Sequence, residues 1–199
     1  MNIQKTATTL LISTFLAAPA WAEKFTIDPA HTTITFKVQH MMIAKVKGRF
    51  DKFEGTFDFD EKSQKLDNVA VKIQAASINT NQSDRDKHLK SPDFLDVAKF
   101  PTIDFKSTKT DYENSKPEKV QAKLTIHGVT KEVAVDVDYN GAVTDPQGKR
   151  RVGFAIETKL NRKDFGLVWN KAMETGGVLV GDTVEVEIQG EALLAGKAK

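Results

Sequence analysis

The chain has 199 residues, a formal net charge of +2 and no cysteine, with acidic and basic residues interspersed throughout. That charge balance, without a long basic run, excludes an electrostatic nucleic-acid surface. The lack of cysteine excludes disulfide stapling and an acylated N-terminal cysteine, so a single domain of this length must be held by its core.

Residues 1–22 read as an export signal. Lys5 supplies a positive start, Leu10-Leu11-Ile12-Ser13-Thr14-Phe15-Leu16 an apolar run, and Ala20-Trp21-Ala22 a small-x-small site that places cleavage after Ala22. The run is too short for a membrane span, and no later stretch approaches the roughly 20 apolar residues one requires. The expected product is one soluble domain over 23–199.

From Phe25 to Leu194 apolar and polar residues alternate. Ile34, Phe36 and Val38 oppose Thr33, Thr35 and Lys37; Val69, Val71 and Ile73 repeat the pattern, as do Val133, Val135 and Val137, and Val184, Val186 and Ile188. A period of two marks strands with one buried face. The alternation predicts strands near 24–28, 31–39, 49–60, 68–76, 102–109, 119–127, 131–143, 150–160 and 182–194. His127-Gly128-Val129-Thr130 predicts a reversal, Asn140-Gly141 a turn or a bulge, and Asp145-Pro146-Gln147-Gly148 a turn tip.

Two stretches break the rhythm. Ser83-Asp84-Arg85-Asp86 predicts a short helix running to Lys90. Ser91-Pro92-Asp93 predicts a second, with proline at its first position and Phe94, Leu95 and Val97 facing the body. Asn161 to Gly181, with four glycines, reads as an irregular loop on a rigid sheet, where binding residues tend to sit.

An antiparallel sheet with one apolar face either packs on a second sheet or closes on itself. Closure removes exposed edges, and about eight strands leave an interior filled by side chains or open to one small ligand. The expected fold class is therefore all-β: an extended antiparallel barrel of about eight strands with an apolar tunnel, and one or two short helices near 84–98. A sandwich with a filled core is the alternative. A lipid-facing barrel would carry aromatic girdles. Beyond residue 22 the chain has Trp169, Tyr112 and Tyr139 and ends in Lys197-Ala198-Lys199, so stable membrane insertion is not expected.

The four histidines show no i, i+2 strand spacing or i, i+4 helix spacing, so no metal site is expected. His40 with Met41 and Met42 could suggest a soft copper site, but adjacent strand side chains point apart. Asp84, Arg85, Asp86 and His88 form the densest polar cluster. It is either a capped surface helix with local charge pairs, a grip for an anionic head group, or an acid-base pair of Asp86 and His88. Asn161-Arg162-Lys163-Asp164 is either a basic contribution to a tunnel mouth or a solvated loop.

In order along the chain stand Asp28-Pro29-Ala30-His31-Thr32, Phe36-Lys37-Val38-Gln39-His40, Val46-Lys47-Gly48-Arg49-Phe50 and Ser77-Ile78-Asn79-Thr80. Arg85-Asp86-Lys87-His88-Leu89, Phe100-Pro101-Thr102-Ile103, Leu124-Thr125-Ile126-His127-Gly128-Val129-Thr130, Asn161-Arg162-Lys163-Asp164-Phe165-Gly166-Leu167 and Val180-Gly181-Asp182 follow. As an ordered set covering nearly all of 23–199, this resembles the YceI-like proteins, with Thr32 where the family often has serine. The resemblance implies a lipocalin-like barrel exported to the periplasm. It implies a long isoprenoid (a polyprenyl phosphate or quinone) or similar amphiphile as ligand, no cofactor beyond that lipid, and the option of a homodimer.

The expected tunnel wall is Phe36, Val38, Phe57, Val71 and Phe105, continued by Leu124, Ile126, Phe154 and Ile156. The expected polar mouth is Arg85, His88 and Arg162, with Trp169 as an amphipathic lid. Such a wall holds a lipid by shape, while a few mouth residues select its head group. The leading function is thus a non-catalytic carrier. A lipid hydrolase using Asp86 and His88, or a structural protein with a filled interior, are the alternatives.

Overall fold

Backbone pairing closes the sheet on itself in the computed structural model, which describes residues 22–174 and 176–196. The export signal read over 1–22 lies outside these residues, apart from Ala22. The strands are β1 (Glu23–Ile27), β2 (Thr33–His40), β3 (Ala44–Phe50), β4 (Phe53–Asp60), β5 (Lys65–Gln74) and β6 (Ile78–Asn79). They continue with β7 (Thr102–Glu113), β8 (Lys116–Ile126), β9 (Val129–Thr144), β10 (Arg150–Asn161) and β11 (Val180–Leu194). Every pairing is antiparallel. The ring runs β1-β4-β5-β7-β8-β9-β10-β11 and returns to β1, the eight-stranded barrel that the alternation predicts. The remaining strands extend it at one end: β11 pairs with β2, β2 with β3, and β3 with β6.

Each of the first three long strands is therefore kinked, and the kinks have local causes. Between β1 and β2, Pro29 cannot donate to a ladder. The Asp28 carboxylate instead takes the Ala30 amide at 3.0 Å and the His31 ring at 2.8 Å. Arg151, 17% exposed, ties Asp28 (2.7 Å), Asp145 (2.9 Å) and Glu191 (3.0 Å) together across the bend. Between β3 and β4 the Asp51 carboxylate accepts from Arg49 at 2.6 Å and Asn79 at 2.8 Å. A 3-10 turn, Ala75–Ser77, separates β5 from β6.

The single strand expected over 49–60 is thus two, and β3 begins at Ala44. Its alternation is masked because the inward position at Gly48 lacks a side chain. A Cβ there would lie 2.3 Å from Cζ of Phe36, whose ring occupies that space. The turns follow their chemistry. His127 and Gly128 both take positive φ (51° and 75°) and link β8 to β9. Asn140-Gly141 is a bulge: Gly153 faces Gly141 while Phe154 faces Tyr139.

Among the described residues one α-helix forms, α1 (Ser83–Lys90), capped by the Gln82 side chain rather than by Ser83. The second expected helix is a series of turns. The Leu95 amide donates to Leu89 O (3.0 Å) and the Val97 amide to Lys90 O (3.1 Å). These bonds fold the segment back onto the end of α1 and use the donors that a new helix would need. Phe94 and Leu95 are still buried.

Two apolar clusters make up the interior packing. At the β1 end, Phe25 stacks on Phe57 with ring centroids 5.6 Å apart, beside Phe59, Val120 and Val152. Toward α1 lie Ala75, Ile78, Leu95, Ile103, Leu124 and Phe165; Phe105 packs against both clusters. The outer face carries ion pairs such as Lys37–Glu187 at 3.1 Å and Lys119–Asp136 at 3.2 Å. Exposed pairs of this kind contribute about 0–1 kcal/mol each. Charges outward and apolar residues inward invert the pattern of a lipid-facing barrel. No helix among the described residues is long and apolar enough to cross a membrane.

Candidate functional site

The α1 end of the barrel encloses an apolar cavity of about 300 Å³. One wall is a cross-strand row: Val46, Val38 and Val184 sit directly opposite one another on β3, β2 and β11. Phe36 and Phe50, 5.7 Å apart, continue it. Ile103 and Ile126 contribute from β7 and β8, Leu89, Phe94 and Leu95 from α1 and its turns, and Phe165, Leu167 and Leu179 from the loop after β10. Strands, helix and loop far apart in sequence thus close one space.

Of the expected wall residues, Phe36, Val38 and Ile126 line this cavity. Leu124 is buried in the cluster beside it. Phe57, Val71, Phe105, Phe154 and Ile156 surround a separate space of about 60 Å³ toward the β1 end. The interior is consequently two unequal spaces, not one continuous tunnel. The physical reason is aromatic volume. Phe25, Phe57, Phe59 and Phe154 converge from three strands, with Phe57 and Phe154 edge to face at 6.1 Å, and nearly fill their half.

At the mouth, Arg85, His88 and Arg162 all line the cavity. Trp169 lies edge to face with His88 (4.8 Å) and tilted against Phe94 (5.2 Å), bridging loop and helix. His88 Nε2 lies 2.9 Å from an Asp93 oxygen. The Asp86 carboxylate accepts from the Thr80 amide at 2.8 Å and the Thr80 hydroxyl at 2.5 Å. Asp86 and His88 therefore serve different partners and do not form a pair. Arg85 donates from Nε to Thr80 Oγ1 (2.7 Å) and from Nη2 to Thr80 O (2.9 Å). Among the described residues its Nη1 has no hydrogen-bond partner.

Arg162 plays a different part from the one its sequence context suggests. It is 4% exposed, and its guanidinium donates to Gly181 O (2.9 Å), Trp169 O (2.9 Å) and Leu167 O. Burial holds its pKa below the usual value, against the opposing charge of Asp182. These bonds bind the irregular loop to the start of β11, so Arg162 shapes the mouth with most of its donors already committed.

Several lining residues were not placed in the wall or the mouth from sequence. His40 and Thr80 belong to the cavity; His40 shares strand parity with Phe36 and Val38, which was the available signal. Leu167 and Leu179 lie in a loop without a period and offered none. Met41 and Met42 take positive φ (51° and 63°) in the β2–β3 turn, so the chain leaves the strand directly after His40 and the His-Met-Met run is not a continuous strand. Among the described residues no group of three or more His, Asp or Glu side chains is arranged to hold a metal ion.

A closed eight-stranded antiparallel barrel with an apolar chamber at one end defines a lipocalin-like binding fold. The family model described as the YceI-like domain matches residues 25–192, and the chain belongs to that family. Protein YceI of Salmonella newport is 40% identical over 161 residues, covering 80% of this chain and 84% of that protein. The crystal structure of a Campylobacter jejuni YceI protein is similar at 30% identity and a TM-score of 0.69, covering 79% of this chain and 90% of that one. A polyisoprenoid binding domain from Saccharophagus degradans shares the fold at 12% identity and a TM-score of 0.62, covering 87% of this chain and 99% of that one.

Proposed function

We propose that the protein is an exported carrier that holds an isoprenoid or similar long-chain amphiphile in the α1-end cavity, without catalysis. The observation that carries this reading is the apolar space of about 300 Å³ behind a mouth with Arg85 and His88. Taking a methylene as about the volume of a liquid water, roughly 30 Å³, the cavity accepts about ten carbon-sized groups. At about 0.8 kcal/mol per buried group, that supplies a gross driving force of about 8 kcal/mol before ordering costs. No specific bond to the tail is required.

The remainder of a long tail either leaves through the mouth or displaces Phe105 to reach the smaller space. Arg85, with Nη1 available beside the lining, and His88 suit an anionic or hydrogen-bonding head group. The polyisoprenoid binding domain with the same barrel is in keeping with the ligand class, although at 12% identity the likeness is one of fold. The export signal read over 1–22 is in keeping with work in the periplasm. A hydrolase using Asp86 and His88 finds no support, because the two side chains bind Thr80 and Asp93 separately.

Native mass spectrometry of protein purified from the periplasm of its own host, followed by solvent extraction, tests this reading. One amphiphile per chain is expected. Protein that emerges lipid-free and takes up no added isoprenoid would overturn it.

A further inference from the structure

Beside the cavity mouth, apolar side chains stand in water. The β2–β3 turn exposes Met42 (62%) and Ile43 (83%), and the loop after β10 exposes Val168 (65%). Turn and loop form one rim. The Met41 amide donates to Leu179 O at 2.8 Å. A Cβ on Gly177 would lie 3.6 Å from both Met42 and Met173. Single exposed apolar residues are ordinary, but a group of them on neighbouring loops beside an apolar chamber marks an interaction surface.

The charge around this rim has a sign. From Gln39 to Phe50 the chain carries Lys45, Lys47 and Arg49 and no carboxylate. Lys45 is paired with Glu185 and Arg49 with Asp51. Lys47, and Lys171 on the facing loop, have no carboxylate partner among the described residues. Asp164 and Glu174 stand on that same loop, so the surplus of positive charge lies on the β2–β3 side.

We propose that this rim docks on an anionic lipid bilayer. Met42, Ile43 and Val168 enter the headgroup boundary, and Lys47 and Lys171 lie over the anionic headgroups. The inference rests on the lipid-holding reading and deepens it: the mouth then opens against the membrane that supplies or receives the amphiphile, and a sparingly soluble tail need not cross free water.

The test is flotation of the full-length mature protein with vesicles of equimolar phosphatidylglycerol and phosphatidylcholine, and with pure phosphatidylcholine. The comparison is a Met42→Asn, Ile43→Ser, Val168→Ser variant. These side chains are exposed and outside the cavity lining, and asparagine tolerates the positive φ at position 42. Uptake of the hydrophobic fluorescent dye N-phenyl-1-naphthylamine, measured without vesicles, reports the cavity in both proteins.

Wild type is expected to float with the anionic vesicles and to lose that binding at high salt. The variant is expected to bind them about tenfold more weakly or worse, with dye uptake unchanged. Wild type that takes up dye but ignores anionic vesicles would overturn the docking and leave the carrier reading intact. Dye excluded from both proteins would count against the carrier reading instead. A wild-type dimer that the variant abolishes, without vesicle binding, would assign the rim to a second copy and overturn the proposal.

Discussion

Val38→Phe separates a vacant cavity from a filled core. Val38 is half-buried in the middle of the Val46–Val38–Val184 row and faces the 300 Å³ space. Phenylalanine adds about four carbon-sized groups, which at roughly 0.8 kcal/mol each bounds the change near 3 kcal/mol. In lipid-free protein the ring fills empty apolar space, and cavity filling of this kind commonly stabilises by about 0.5–2 kcal/mol. The same ring displaces ligand carbons, so affinity is expected to fall by up to about 3 kcal/mol, or about a hundredfold. Urea unfolding of the lipid-free proteins and titration with farnesol measure the two effects. Destabilisation of about 2 kcal/mol or more would indicate overpacking and refute the vacancy. Stabilisation with unchanged farnesol affinity would show that the ligand lies elsewhere.

Three further outcomes follow from the geometry. Arg162→Ala leaves the Gly181, Trp169 and Leu167 carbonyls without their donor; a loss of about 3 kcal/mol or more is expected, with faster amide hydrogen exchange across 166–181, and Arg162→Lys is not expected to restore the fork. Gly190→Ala places a Cβ 2.3 Å from Thr32 Oγ1; urea unfolding should show a loss of about 1–3 kcal/mol, largely relieved by adding Thr32→Gly. The Asp28 carboxyl is lowered from 3.8 to about 2, chiefly by its hydrogen bond from Arg151 and then by His31. A depressed carboxylate contributes stability that is present above its unfolded value and lost as pH falls through its folded one. The stability gap between wild type and Arg151→Gln is therefore expected to be largest above pH 4 and to narrow as pH falls toward about 2. Urea melts across that range test it, and a gap that widens toward low pH contradicts the assignment.

Strand residues were legible because a half-buried strand writes its facing into the sequence every second position. Phe36, Val38 and Ile126 share the inward parity with Phe57, Val71, Phe105, Phe154 and Ile156, but parity does not tell which end of the barrel each one lines. The exceptions are instructive. The wall of β3 was invisible because Gly48 gives its inward position to the ring of Phe36. The helix expected from Ser91-Pro92 lost its amides to the carbonyls of Leu89 and Lys90, an outcome set by a neighbouring turn that local propensity does not record. Arg162 was expected at the mouth as a residue to select a head group, and it stands there, yet its guanidinium donates to the carbonyls of Leu167, Trp169 and Gly181, a fold of its own loop that has no period to announce it.

Alternation and turn chemistry alone were enough to specify an all-β chain, the approximate strands, the bulge or turn at Asn140-Gly141 and one apolar face per strand, since each follows from the pleat and from residues within a few positions. Where empty space remains was decided by packing in three dimensions. Four phenylalanines converge at one end and nearly fill it, while at the other a row of valines lines the space left open. Volume depends on what stands across the barrel, and that neighbour lies dozens of residues away in the chain.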